Sequence, residues 1–121
     1  MGNKYKVSPP NERRHKGRTY ASKAEMMYAI NLYYLQEHGI ILDFVEQPRL
    51  WLGVPLNKYV PDFLVIAKDE RPFYVDVKGV ETSAFKKNKK LWAEYGHLDL
   101  HVVKRKGNNF ITTEIINGNS D

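Results

Sequence analysis

The chain has 121 residues and a net charge of +5, a length that suits one domain. Its hydrophobic residues make up 42% of the sequence, which excludes a disordered chain, and the absence of cysteine excludes disulfides, thiolate zinc sites and a cysteine nucleophile. Because no apolar run is long enough to cross a bilayer and the basic N-terminus precedes no apolar stretch, we expect a soluble intracellular protein with no secretory signal and no membrane partner.

The positive charge is concentrated at the N-terminus. Residues 1–20 contain six cations and one anion, whereas the rest of the chain has equal numbers of both. Residues 1–19 are polar, contain two adjacent prolines and show no periodicity, so we predict a flexible basic arm before a single domain of residues 20–121. Such an arm contacts nucleic acid or an acidic surface, or is a solvated tail that aids solubility.

The first predicted helix begins at Ser22. Ser22 and Glu25 have the spacing of a capping box, and an apolar stripe at helical spacing follows them. Gly39 is a suitable end, because glycine readily adopts the conformation that terminates many helices. The positions expected to face the core are Tyr28, Ala29, Leu32 and Leu35.

Three strands are predicted after this helix. Residues 40–47 are rich in branched side chains and alternate loosely, residues 58–67 form a second strand, and residues 72–78 form a third. The polar turn at residues 68–71 suits a hairpin between the second and third strands. Residues 50–52 are predicted to be a short extension of the first strand.

A second helix is predicted to begin at Thr82 or Ser83 and to end at Tyr95, and strands at residues 98–104 and 110–116 follow it. A strand that follows a helix lies parallel to a neighbouring strand through a right-handed crossover. We therefore predict an α/β fold in which helices flank a mixed central sheet. The residues of the second helix expected to face the core are Ala84, Phe85, Leu91, Trp92 and Tyr95.

Ionisable residues interrupt the two apolar strands of the predicted hairpin. Asp62 lies in one strand, while Asp76 and Lys78 lie two positions apart in the other and so share one face. In an antiparallel pair, opposed residue numbers have a constant sum; a sum of 138 pairs Asp62 with Asp76, and 140 pairs it with Lys78. An odd sum would place Asp62 on the other face unless a bulge at Pro61 redirects it.

Two converging carboxylates repel each other, by roughly 1 kcal/mol at about 4 Å in water and nearer 4 kcal/mol at an effective dielectric of about 20. Either one of them is protonated or a cation lies between them. Oxygen ligands favour Mg²⁺ or Mn²⁺, and a metal ion with a lysine beside a phosphate is typical of phosphodiester hydrolysis. The alternative is a structural ion pair, in which Lys78 neutralises Asp62 or Asp76.

The sequence contains a pattern that resembles the motif of the PD-(D/E)XK nuclease superfamily. It consists of Pro61 and Asp62, a gap of 13 residues, and then Asp76 and Lys78 separated by one residue. The helix-first order and the position of the motif on a central hairpin are similar to the core of that family, over residues 22–104. The resemblance implies a restriction-endonuclease-like αβββαβ core. The chain's size, its upstream helix start and the glycine after the motif resemble small phage and archaeal Holliday-junction-resolvase-type endonucleases.

The resemblance implies a role for each residue of the motif. Asp62 would be the bridging ligand of Mg²⁺ or Mn²⁺ and Asp76 the second ligand, with the carbonyl of Val77 completing the site. Lys78 would position or help to deprotonate the attacking water. Glu25 would correspond to the catalytic glutamate that several resolvase-like branches carry on the first helix.

Glu25 and Gln47 each have a structural alternative. Glu25 is spaced to cap its own helix, yet it shares a face with apolar residues that point toward the sheet, where a carboxylate needs a partner. Gln47 ends the first strand near the same region, so it either binds a phosphate or a ligand as an accessory residue or is structural.

Basic residues are predicted to contact a phosphate backbone, although the helix lysines could instead form a solvated face. Sequence gives no basis for direct base readout, so recognition by shape is expected. The candidates are Arg13, Arg14, Lys16 and Arg18 in the arm, and Lys86, Lys87 and Lys90 on the second helix.

The function expected from the motif and its resemblance is a metal-dependent DNA endonuclease that hydrolyses phosphodiester bonds. By resemblance, its substrate is branched DNA, it acts as a homodimer, and it resides in the cytoplasm of a bacterial host if it is phage-encoded. Three alternatives remain open: a site-specific or nicking nuclease on the same fold, a ribonuclease with the same residues, and a non-catalytic DNA-binding module.

Overall fold

A computed structural model describes residues 7–53, 55 and 57–119. A 3-10 turn at Pro10–Glu12 leads into a hairpin of strands β1 (Arg14–His15) and β2 (Arg18–Thr19). The prediction of an unstructured arm is therefore wrong for this part of the chain. The hairpin forms because Lys16 and Gly17 both adopt positive φ angles, which suits a tight turn. Residues 1–6 of the predicted arm, with Lys4 and Lys6, lie outside the described residues.

Helix α1 spans Lys23–Glu37, as predicted. The Ser22 hydroxyl accepts a hydrogen bond from the Glu25 N–H at 3.0 Å, which satisfies one of the free amides of the first turn. After the helix the chain reverses at Gly39, whose φ of +71° is accessible to glycine at little cost. One face of α1 is buried through Ala29 and Leu32.

The middle of the chain forms five strands: β3 (Ile41–Glu46), β4 (Leu50–Leu52), β5 (Asn57–Tyr59), β6 (Phe63–Ala67) and β7 (Phe73–Val77). The single strand predicted at residues 58–67 is wrong, because β5 and β6 are separate and belong to different sheets. The interruption falls at Pro61, which has no N–H to donate to a ladder. The break places Asp62 immediately before β6.

Helix α2 spans Ser83–Tyr95, with Thr82 as its N-cap, and strands β8 (Leu100–Lys106) and β9 (Asn109–Ile116) follow it. The prediction that Ala84 and Tyr95 face the core is wrong, because both are exposed. The α2 core is instead formed by Phe85 and Trp92, which are buried, with half-buried Leu91 packed beside them.

The central sheet has five strands in the order β3-β6-β7-β8-β9. All neighbouring strands are antiparallel except β7 and β8, which are parallel and joined through α2. A mixed α/β fold with two helices is therefore confirmed. One core joins α1 to the sheet face that carries Val75, and a second core joins α2 to the face that carries Tyr74, so the helices cover opposite faces.

Neither helix in the described part of the chain has the length and apolar character needed to cross a membrane.

Candidate active site

The two aspartates of the motif meet at the end of the β6–β7 hairpin. The observed pairs, such as Phe63 with Val75, have a residue sum of 138, so Asp62 lies at the position that faces Asp76. The Asp62 N–H donates to Asp76 Oδ1 at 3.0 Å, and the Val77 N–H donates to Asp62 Oδ2 at 2.8 Å. Side-chain carboxylates thus continue the hydrogen bonding of the hairpin where β6 begins after Pro61.

Asp76 is buried, with a relative exposure of only 1%. Its Oδ2 atom has no hydrogen-bond partner in the structure, although its Oδ1 atom accepts from Asp62. Burial raises the pKa of Asp76 to about 6, and the charge of Lys78 and the Asp62 hydrogen bond offset only part of this effect. A buried carboxylate oxygen without a partner is costly, so this atom is the most unusual polar atom of the site.

Glu25 belongs both to the helix cap and to the carboxylate cluster. Its Oε2 accepts a hydrogen bond from the Ala21 N–H at 2.9 Å. In a reciprocal capping box the donor would be the N–H of the N-cap residue itself, Ser22, so the observed bond is shifted by one residue. Its carboxyl group also hydrogen-bonds Asp62, and burial together with the charge of Asp62 raises the pKa of Glu25 to about 8. At neutral pH, Glu25 is therefore the protonated member of the pair and donates to Asp62.

The Asp62 carboxyl is also perturbed. Burial raises its pKa, while hydrogen bonds from Glu25 and from the Val77 N–H act in the opposite direction, as does the charge of Lys78. Burial is the larger influence, so the pKa of Asp62 stays above its ordinary value even with these donors and the Lys78 charge nearby. Two acidic groups of unequal proton affinity in contact are characteristic of functional sites as well as of structural networks.

Lys78 lies beside this cluster without forming a salt bridge to any carboxylate in the described structure. Its Nζ atom is 4.6 Å from the centroid of the Phe85 ring, which is buried at the start of α2. An aromatic face attracts a cation more weakly than a carboxylate in contact does. The structural ion pair considered as an alternative for Lys78 is therefore not observed.

A cavity of about 440 Å³ opens beside Asp62. Its described lining includes three cationic side chains, those of Lys23, Lys78 and Arg105. The first residues of α1 and the N-cap Thr82 of α2 line it as well, so both helices direct the positive ends of their dipoles toward it. Positive charge beside the Asp62 carboxylate suits an anionic ligand that a metal ion also contacts.

Lys23 is a cavity residue that sequence reasoning did not select, whereas Arg105 belongs to the basic run 104–106 that the sequence offers as a possible contact to a phosphate backbone. They are far apart in the chain, and only the fold brings them to the same place. The signal available for Lys23 was its position directly after the N-cap Ser22, where the helix amides are free. Arg105 had only its membership of a basic cluster.

Gln47 contacts the site through its backbone. Its N–H donates to the Asp62 carbonyl at 2.9 Å, and its φ of +50° is unusual for a residue other than glycine. The side chain is exposed and forms no hydrogen bond to a described residue. Its backbone therefore helps to hold Asp62, and the accessory role of its side chain stays a prediction.

The basic residues predicted to bind nucleic acid divide into two groups. In the N-terminal hairpin, Arg13 donates to the carbonyls of Ser8 and Tyr20, and Arg18 Nε lies 2.7 Å from the Glu46 carboxylate. These two guanidinium groups hold the fold together. The other predicted cations are exposed and form no salt bridge within the described residues: Arg14 and Lys16 in the hairpin and Lys86, Lys87 and Lys90 on α2.

The described residues contain no group of three or more His, Asp or Glu side chains spaced to hold a metal ion by themselves. The donors that the site offers are the carboxylates of Asp62 and Asp76 and, by resemblance, the carbonyl of Val77. Carboxylate and carbonyl oxygens are the protein ligands that Mg²⁺ and Mn²⁺ prefer. The unpartnered Oδ2 of Asp76 is the atom that such an ion would satisfy.

Residues 4–108 match the model of a family described as "Protein of unknown function (DUF1064)". No curated protein matches the chain. Because the match covers most of the 121 residues, the chain belongs to the DUF1064 family.

Proposed function

We propose that this member of the DUF1064 family is a Mg²⁺- or Mn²⁺-dependent DNA endonuclease of the PD-(D/E)XK type. The proposal depends above all on Asp76, a buried carboxylate with an unpartnered oxygen that faces Asp62 across the hairpin. A protein whose cluster were purely structural would be expected to pair these carboxylates with the nearest cation, yet Lys78 forms no salt bridge to them. This arrangement favours an ion-binding role for the acids and a separate role for the lysine.

The metal ion fits the donors that are present. Asp62 and Asp76 would hold it, with the carbonyl of Val77, and the otherwise unpartnered Asp76 Oδ2 would gain a positive partner. When bound, such an ion supplies positive charge against the developing charge of the phosphate and lowers the pKa of nearby water.

The side chains of the site have separate tasks in the proposed reaction. Lys78 places an ammonium group beside the reacting phosphate, where it orients the attacking water and offsets negative charge. The amides of Asp62 and Val77 fix the two aspartates through the hydrogen bonds described above, so the acids keep their geometry without substrate. Glu25 holds a proton against Asp62 at neutral pH.

The finer details of the proposal come from the resemblance to resolvase-type endonucleases. It favours branched DNA as the substrate and a homodimer as the active species, because two paired cuts need two sites. The lysine face of α2 supports contact with a phosphate backbone, since Lys86, Lys87 and Lys90 are exposed near the cavity residue Thr82.

Cleavage assays test the proposal. Duplex, single-stranded, flap and four-way-junction DNAs, with RNA versions of the same sequences, are incubated with and without Mn²⁺. We expect cleavage that stops with EDTA and falls at least about 10²-fold for Asp62→Asn and for Lys78→Met, the scale of an essential catalytic group. The matched controls are Asp69→Asn and Lys68→Met, which make the same changes in an exposed turn.

A second measurement separates metal binding from catalysis. Mn²⁺ should raise the melting temperature of the wild type and of Asp69→Asn but not of Asp62→Asn, because only a ligand-competent native state gains stability from the ion. Normal cleavage by Asp62→Asn would show that the site is wrong. DNA binding by every variant, with cleavage by none and no response to Mn²⁺, would identify a non-catalytic binding module instead.

A further inference from the structure

We propose that Arg105 and Lys23 form a second phosphate-binding subsite, which holds the nucleic-acid backbone next to the phosphate at Asp62 and Lys78. The inference extends the proposed function, because it assigns the adjacent phosphodiester to a defined place. It depends on the composition of the cavity rather than on the carboxylate cluster. Among the described lining residues, three side chains are cationic and one, Asp62, is acidic.

Arg105 is held in place without being neutralised. Its Nε atom donates to the Gly107 carbonyl at 2.7 Å, across the turn that follows β8. It forms no salt bridge within the described structure, in contrast to Arg18, which pairs with Glu46. An arginine anchored through Nε keeps its terminal nitrogens free, and these donors suit the oxygens of a phosphate.

Lys23 contributes to the cavity from the start of α1. It is the first residue of α1, so its backbone N–H has no partner within the helix, and the Ser22 hydroxyl accepts from Glu25 instead. An ammonium group and free amides at a helix start favour an anion in the same place.

The positions of the cations indicate the path of the strand. Arg105 lies two residues after Val103, on the sheet face covered by α1, whereas Lys78 contacts Phe85 on the side of α2. A backbone that passes Asp62 therefore crosses the end of the sheet from one face to the other.

Binding measurements without cleavage test the subsite. The affinity of the wild type and of Arg105→Gln, Lys23→Gln and Lys104→Gln for a fluorescein-labelled DNA strand is measured by anisotropy in EDTA over a series of salt concentrations. Lys104 is the matched control, because it is exposed on the same strand but lies outside the cavity lining. Thermal melts verify that each variant is folded, and Arg105→Lys tests whether charge alone is sufficient.

We expect Arg105→Gln and Lys23→Gln each to weaken binding about fivefold to tenfold near 0.1 M salt and to reduce the slope of log K against log salt by about 0.7–0.9. Lys104→Gln should change both by much less. Arg105→Lys should keep the slope while losing part of the affinity, since it keeps the charge but not the paired donors.

Equal losses of DNA affinity for Arg105→Gln and Lys104→Gln would overturn the subsite. A slope of log K against log salt that stays unchanged in both Arg105→Gln and Lys23→Gln would overturn it as well. These results would leave the nuclease proposal intact if Asp62→Asn still abolishes cleavage. Conversely, selective loss of binding in the two cavity variants, with no cleavage by the wild type under any metal, would support the subsite and overturn the nuclease.

Discussion

Glu46 and Asp76 are acidic residues on strands of the same sheet, yet their surroundings differ completely. Glu46 accepts a hydrogen bond from the Tyr20 hydroxyl and forms an ion pair with Arg18 at 2.7 Å. Asp76 is more deeply buried, has no salt-bridge partner in the described structure and leaves one oxygen without any partner. One carboxylate is neutralised where it ties the N-terminal hairpin to β3, and the other is left to carry its charge in the interior.

The two lysines near Phe85 show the same contrast. Lys89 lies 2.6 Å from Glu81 and 2.8 Å from Glu114, and these contacts tie α2 to β9. Lys78 Nζ lies 4.6 Å from the centroid of the Phe85 ring and forms no salt bridge to a described residue. Acids and cations are thus paired where they hold elements together and unpaired around the cavity. Local rules of stability tend to be violated where a protein has a functional site.

The largest expected effect is on cleavage. Asp76→Asn should lower the rate at least about 10²-fold, because it removes a charged ligand, whereas Glu46→Gln should change it by less than about threefold. Both substitutions replace a carboxylate by an amide of nearly the same shape, so the pair is matched. Rates are measured with Mn²⁺ on the best substrate of the DNA panel. Similar losses in both variants would remove the distinction between the two acids.

The same two variants should rank in the opposite order in the stability of the metal-free protein, with Asp76→Asn the more stable. At pH 8 the buried charge of Asp76 lowers the free energy of unfolding by an amount on the order of 3 kcal/mol, because its pKa is raised to about 6. In Asp76→Asn this charge is gone, but the new amide group has a donor without a partner, which costs about 1 kcal/mol. Asp76→Asn should therefore raise the free energy of unfolding by about 2 kcal/mol, while Glu46→Gln lowers it by about 1–2 kcal/mol. Urea denaturation in EDTA measures both.

The pH dependence of that difference has a definite sign. The folded-state pKa of Asp76 lies above its unfolded value near 3.8, so the native state binds the proton more tightly and ionisation destabilises it. The gain in free energy of unfolding from Asp76→Asn should be absent below about pH 4, grow up to about pH 6 and remain constant above that. An advantage that is independent of pH would show that the charge of Asp76 is not its cause.

A smaller effect is expected at Phe85, which positions Lys78. Phe85→Leu should lower the cleavage rate about threefold to tenfold, because it removes the aromatic face but keeps an apolar side chain, and cation–π contacts contribute about 0.5–2 kcal/mol. Phe85→Tyr should keep most of the rate. Thermal melts separate this effect from lost packing: a loss of cleavage at nearly unchanged melting temperature indicates the aromatic face, whereas a loss that follows a lower melting temperature indicates packing.

The smallest effect is expected at Lys89. Lys89→Met should reduce stability by less than about 1 kcal/mol, because its carboxylate partners are partly exposed and solvent screens such pairs. Cleavage should remain within about twofold of the wild type. A large loss of cleavage would show that the ionic network around α2 controls the site, and that Lys89 and Lys78 are not independent.

Elements governed by local chemistry were predicted well. Ser22 and Thr82 cap α1 and α2 at the predicted positions, and the parallel strand after α2 follows from chain handedness. The N-terminal hairpin was missed because its stability comes from partners distant in sequence, such as the contact between Arg18 and Glu46. No short pattern in a polar, proline-containing segment reveals such a contact.

The candidate site divides in the same way. The strand pattern left the register open between a sum of 138, a sum of 140 and an odd sum, and the observed sum is 138, which sets Asp62 opposite Asp76. The double role of Glu25, as cap and as partner of Asp62, required the packing of α1 to be known. Arg105 reaches the cavity only because β8 lies beside β7.

The two amides that donate to the aspartates offer a spectroscopic view of the molecule. In most strands an amide proton donates to a neutral carbonyl, but those of Asp62 and Val77 donate to carboxylate oxygens. Their nitrogen and proton resonances should therefore follow the charge on those oxygens. A backbone NMR titration of ¹⁵N-labelled protein with magnesium would record occupancy at this end of the sheet without a substrate or turnover.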